Sequence, residues 1–319
     1  MIVVIIAIAC FYQAMPFRPS FRQLEYVIAV AEARHFGAAA RRCHVSQPTL
    51  SVQVSAVEGG LGIQLFERTS SGVITTKTGE QFVHGARITL AAINDLLDAV
   101  GQSAKTLGGL IKLGTSPSFG PYFLPTFLPT IHAEFPKLRI YITEDRPAAI
   151  ESAVVEGILD CGIGPALTDN TLTFIPIGRE KLYLGIPREH RLAGARVVRV
   201  EDLRGETLLA LGSGNRLFEN VRHLADASGA QIVDDYEGTS LDAIRHMMSI
   251  GMGCSLFPEL YARSEFRQSE DVLLLPFVDW QETRTIGFYF RDGSGRKSHF
   301  EALARHGKKA ARALGLLDA

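Results

Sequence analysis

This sequence predicts an α/β protein built of two unlike parts, and three observations predict it. Residues 37–62 place small, apolar and polar side chains at helical spacing with a break near His44. An apolar stripe in steps of three and four then runs from Phe82 to Val100. From Leu110 onward the texture changes to short apolar runs alternating with amphipathic stretches, the rhythm of strands and covering helices.

In chain order, residues 1–14 form a continuous uncharged apolar run. It is shorter than the roughly 20 residues that cross a bilayer and lacks the basic start of a signal peptide. With Met15 close behind, these residues are expected to be an extension from an early start, poorly packed, and no membrane association is expected. Phe21–Arg34 is an amphipathic helix with Leu24, Val27, Ile28 and Ala31 on one face. Ala38, Ala39 and Ala40 let a second helix pack closely, and Arg41–His44 closes it. Ser46 suits an N-cap and Pro48 a first helical turn. Leu50, Val54 and Val57 then face inward, leaving Gln47, Thr49, Ser51, Val52, Gln53 and Ser55 outward. Residues 61–80 read as a helix end, a strand, a Ser-Ser-Gly turn and a second strand, which makes a wing. A helix-turn-helix with a wing presents such a polar face to the major groove of double-stranded DNA.

The charge balance is modest, with 33 Lys+Arg against 34 Asp+Glu. Residues 15–105 hold nine basic and seven acidic side chains, about +2. Phosphate contacts must therefore come from a few placed cations, Arg34, Arg41, Arg42, Arg68 and Lys77, with helix N-termini helping. Ser46, Gln47, Pro48, Thr49, Ser51, Gln53 and Thr76 complete the candidate DNA-binding set. The helix Gln47–Glu58 has no Lys or Arg, and Gly59-Gly60 should weaken its far end.

Thr78-x-x-Gln81 has the form of a capping box opening the long helix, whose stripe of Phe82, Ala86, Leu90, Ile93, Leu97 and Val100 calls for a partner. Gly101 and Gly108-Gly109 then mark a hinge. Strands are expected at 110–116, 138–145, 159–164, 181–187, 207–212, 231–237, 254–258 and 283–291 in a mainly parallel sheet. Helices are expected at 120–135, 149–157, near 200–205, and at 215–228, 241–251 and 298–315. A chain of 319 residues predicts about two domains.

The residues from Leu24 through AARRCHVSQPTLSVQ, LGIQLFER and TTKTGE resemble the LysR-type transcriptional regulators, over the whole chain except its start. The resemblance implies a winged helix-turn-helix at 15–77, a dimerisation helix at 78–107, and a periplasmic-binding-protein-like effector domain at 108–319. The latter has two lobes, about 108–180 plus 284–319, and 181–283, with crossings near Arg179–Lys181 and Gln281–Thr285. It implies a cytoplasmic regulator acting on promoter DNA and RNA polymerase, a homodimer through the long helix, and a homotetramer. Many members carry arginine where Val52 stands.

Ligands of such a domain sit between lobes, at strand C-termini and helix N-termini. The candidates are Thr115, Ser116 and Ser118, then Gly214, Asn215 and Arg216, then Thr239 and Ser240, with Arg216 suiting an anionic small molecule. Residues 118–142, 157–163, 238–265 and 284–291 resemble the peroxide-sensing branch of the family. Its reactive thiol position falls on Arg216, its resolving position on or near Ala225 and a peroxide-assisting threonine on Pro147, while Ser118 and Arg284 match. That thiol mechanism cannot run there. Cys161 and Cys254 remain as buried small hydrophobes or as oxidant sensors. No cofactor, metal spacing or enzyme motif is expected. A solute-binding protein without a DNA role is the rival reading.

Overall fold

The computed structural model describes residues 17–70, 72–101, 109–166, 171–213, 215–266 and 271–318. The expectations for residues 1–14, Gly108 and Gly214 lie outside the described residues. Contacts divide the chain into two units, Met1–Asn94 and Asp95–Ala319.

The first unit opens with α1 (Phe21–Ala33), α2 (Phe36–Arg42) and α3 (Gln47–Leu61). Ser20 and Gln23 form a capping box for α1, and Ser46 Oγ accepts the Thr49 N–H to cap α3. Leu50, Val54 and Val57 of α3 are buried with Val27, Val30, Ala39 and Ala40, each large side chain worth roughly 1.5–3 kcal/mol. Gly59 and Gly60 lie inside α3, which extends three residues past the expected Gln47–Glu58. The helix runs on to Leu61 and stops at Gly62 in the left-handed conformation, φ 68°. Gly60 instead makes room for the Phe17 ring, with which a Cβ would collide.

The wing is the antiparallel pair β1 (Phe66–Thr69) and β2 (Gly72–Thr75). The long helix α4 is Lys77–Gly101. Its cap is not Thr78. Thr76 Oγ1 accepts the Gly79 N–H at 2.9 Å while donating to Gln64 O at 2.8 Å, so one hydroxyl both caps α4 and ties it to the wing.

The second unit contains β3 (Gly109–Thr115), α5 (Gly120–Glu134), β4 (Leu138–Glu144), α6 (Pro147–Val155), β5 (Cys161–Pro165) and β6 (Leu172–Pro187). After a short 3₁₀ turn at Val200–Leu203 come β7 (Thr207–Leu208), α7 (Arg216–Ser228), β8 (Gln231–Ile232), α8 (Leu241–Ser249) and β9 (Ser255–Pro258). Last are α9 (Glu259–Glu265), β10 (Val272–Leu275), β11 (Thr283–Arg291) and α10 (Lys297–Ala313). Neither α9 nor β10 was expected, because a seven-residue helix entered from proline and a run of four apolar residues carry little periodicity.

The sheet is mixed rather than mainly parallel. β3 lies parallel to β4 and β5, but β11 is antiparallel to β5 and β6, and β6 to β9 and β10. The cause is β6, a 16-residue strand. It passes from one hydrophobic core, holding Ile177, into a second holding Leu182, Leu184 and Ile186. β11 returns along it, with Arg284 opposite Glu180.

Candidate nucleic-acid interface and effector cleft

α3 presents one exposed edge. Gln47, Pro48, Thr49, Val52 and Ser55 are exposed there, Val52 at 65%. Three expected outward groups are tethered, and Thr49, though exposed, is one of them, its Oγ1 lying 2.7 Å from Ser46 Oγ. Gln53 Oε1 accepts Gln23 Nε2 at 3.0 Å, and Ser51 Oγ accepts Arg68 Nη2 at 3.0 Å. Arg68 is further fixed by its guanidinium 4.5 Å above the Phe36 ring. Ser51 and Arg68 thus form one preset donor–acceptor unit linking α3 to the wing.

The other cations are unequal. Arg42 lies 2.6 Å from Glu32, which also holds Arg87 at 3.0 Å, so its charge is partly offset. Arg41 and Lys77 are exposed, Lys77 at the start of α4. Arg34 is exposed in the left-handed conformation, φ 48°, and its carbonyl accepts the Val73 N–H, joining α1 to the wing. Ser46 and Thr76 are helix caps, and their hydroxyls are already engaged. His35, absent from the sequence-derived set, caps α2 by accepting the Ala38 N–H, a role readable from its position before Phe36.

In the second unit the residues after β3 converge on a buried ion pair. Arg284 Nη2 contacts Glu180 Oε2 at 2.6 Å, with side chains 3% and 0% exposed. Arg284 Nη1 donates to Ser118 Oγ at 3.2 Å, and Ser118 lies 3.4 Å from Ser116 Oγ. Thr115 is fully buried at the end of β3. Arg216, first residue of α7, reaches to 3.6 Å from Glu151 of α6. Tyr289 lies near both, its phenol pushed up by burial first and by the Glu151 charge second. The remaining candidates sit apart from these contacts. Asn215 Nδ2 donates to Gly212 O, Ser240 Oγ caps α8 from the Ala243 N–H, and Thr239 is exposed. Sequence reasoning missed Glu151 and Glu180, whose partners stand 65 and 104 positions away.

Cys161 is fully buried in β5 and Cys254 is 1% exposed before β9. Burial pushes both thiols up, Cys254 to about 12, so their thiolate populations at neutral pH are negligible. Cys43 is half-buried. In the native protein, alkylation at pH 8 should therefore modify Cys43 while leaving Cys161 and Cys254 intact, as should mild peroxide. Peptide mass spectrometry checks this, and rapid modification of either buried thiol would overturn it.

A winged helix-turn-helix reading head, a long helix and a two-core α/β unit define a bacterial transcription regulator with an effector domain. The sequence comparisons agree part by part. A bacterial regulatory helix-turn-helix model of the lysR family matches residues 21–80, and a LysR substrate binding domain model matches residues 104–312. The chain belongs to the LysR family. The DNA-binding transcriptional dual regulator OxyR of Escherichia coli is 38% identical over 287 residues, 89% of this chain and 93% of that protein. A full-length OxyR variant from Pseudomonas aeruginosa is similar with TM-score 0.72 at 29% identity, over 91% of this chain and 98% of that one. CbnR, solved with its target DNA, is similar with TM-score 0.62 at 25% identity, over 90% and 99% of the two chains. The solute-binding reading without a DNA role finds no support. Among the described residues no helix is long and apolar enough to cross a membrane.

Proposed function

We propose that this regulator reads promoter DNA in the cytoplasm as a dimer or tetramer and serves the peroxide-response class of its OxyR relatives, with its signal bound at Arg216 at the start of α7. It carries no enzymatic step. The observation that supports this is the placement of Arg216 beside Glu151, on the position where the resemblance puts the relatives' reactive thiol. A guanidinium cannot be oxidised and reduced as a thiol can, so the input is a bound polar or anionic small molecule. Binding there would change the two lobes' populations of open and closed states, and the spacing of paired reading heads with them.

On the DNA side, Gln47 and Thr49 supply base contacts beside the exposed Val52 methyls, while Arg41 and Lys77 hold phosphates. A gel shift on the upstream promoter region, run across salt concentrations, separates these roles. Arg41→Ala and Lys77→Ala should each flatten the log K against log salt slope by about 1. Gln47→Ala should keep the slope and lose roughly 1–3 kcal/mol of discrimination at one base pair. Equal binding by wild type and a scrambled sequence at every salt would remove the reading.

A further inference from the structure

Three side chains far apart in sequence meet at the edge of the second core. His190 sits in the turn after β6, Glu206 immediately before β7, and Cys254 immediately before β9. Their ligand atoms all lie within 4.8 Å of one another. His190 Nε2 is 3.6 Å from Cys254 Sγ and 3.1 Å from Glu206 Oε2. A tetrahedral zinc at its usual bond lengths would set those two edges at about 3.5 Å and about 3.3 Å. We propose that Cys254, His190 and Glu206 form a binding site for one borderline-soft divalent metal ion of the zinc type, leaving a fourth position to solvent or an added ligand.

The backbone holds the donors in place. Cys254 donates its N–H to Thr207 O at 2.8 Å and accepts the Leu209 N–H at 2.8 Å, while Glu206 O accepts the Gln231 N–H at 2.9 Å. Gly253, at φ 156°, lets the chain pass Thr207 O, into which a Cβ would collide. Arg191 Nε holds Glu206 Oε1 at 2.6 Å, which turns Oε2 toward the ring nitrogen. That second contact both orients the ligand oxygen and weakens the site by its charge. The side chains of His190 and Glu206 are 12% and 19% exposed, which gives an ion a way in. Thiolate and imidazole favour zinc, cobalt or copper over magnesium and calcium.

The proton balance is explicit. In the metal-free protein His190 Nδ1 accepts the Leu192 N–H at 3.2 Å, which places the ring proton on Nε2, donated to Glu206. On binding, the Cys254 thiol releases one proton to solvent and the neutral ring moves its proton from Nε2 to Nδ1. The Leu192 contact, a long bond inside a solvent-facing turn, breaks in exchange. A bound ion would then clamp the turn after β6 to β7 and β9.

The test uses the full-length protein, chelator-treated and titrated with cobalt(II). The expected result is a thiolate-to-cobalt charge-transfer band saturating at one ion per chain, bleached by zinc. Cys254→Ser should abolish the band, while Cys43→Ser should keep it. Loss of supporting groups alone weakens metal sites roughly 10–100-fold, so Glu206→Gln should weaken cobalt binding at least about 10-fold with the band retained. Absence of the band in wild type, or its survival in Cys254→Ser, overturns the proposal. Should Cys254→Ser fail to fold, His190→Ala decides instead: a weakened, blue-shifted or lost band supports the site, and an unchanged band at unchanged cobalt affinity overturns it.

Discussion

Arg284→Met is expected to destabilise the second unit by about 3–5 kcal/mol. Glu180 is 0% exposed and its Oε2 is matched by Arg284 Nη2 at 2.6 Å. Its other oxygen accepts the Leu260 N–H at 2.8 Å. Removing the guanidinium leaves a carboxylate buried with one backbone donor, and Ser118 loses the Nη1 contact as well. Exposed ion pairs such as Arg222–Glu219 contribute little, so the effect belongs to burial rather than to charge as such. The double variant Glu180→Gln/Arg284→Met should recover most of the loss, because Gln still accepts from Leu260 and no charge is buried. Trp280, the chain's single tryptophan, packs against the second core and reports that unit's unfolding. Urea titration by its fluorescence checks the pair of values. A loss below about 1 kcal/mol in Arg284→Met would show that water reaches Glu180.

Local signals carried much of this fold. The cap at Ser46 and the inward set Leu50, Val54 and Val57 act within a few residues, and sequence reading reaches that far. Capping at Thr76 was missed because its second partner, Gln64 O, lies in the chain before the wing. Strand direction was missed for a related reason. Nothing in the residues of β6 announces that β11 will lie against it rather than a helix crossover. The candidate interface was legible as a face but not as a set of available groups, since Gln53 and Ser51 are tied by Gln23 and Arg68 from other elements. Glu180, Glu151 and the cluster at His190 depend wholly on tertiary convergence, and no spacing rule could have joined them.

Leu97→Asp on α4 is expected to break the subunit pairing and to lower affinity for a promoter site by about 100-fold or more. The front of α4 is satisfied by its own unit, with Val83 and Ala86 buried. Further along, Asp95 is engaged by Arg291 at 2.6 Å. The opposite side of that stretch leaves Leu96 at 63%, Leu97 at 63% and Val100 at 78% exposed. Large apolar groups exposed side by side on a helix favour burial against a like surface. One reading head is a weak binder by its own charges, about +2 over residues 15–105, with no cation on α3. Two linked heads gain by effective concentration what each lacks in contacts, commonly 10²–10⁴-fold. An aspartate at position 97 would have to be buried unpaired in the shared interface, whereas on a lone chain it would be solvated and harmless. Sedimentation should therefore show smaller particles with unchanged thermal stability of the Trp280 transition, and the gel shift should lose the discrete complex. If Leu97→Asp keeps both its assembly state and its DNA affinity, the exposed stripe of α4 does not join the subunits, and the weak charge of the reading head would need another source of affinity.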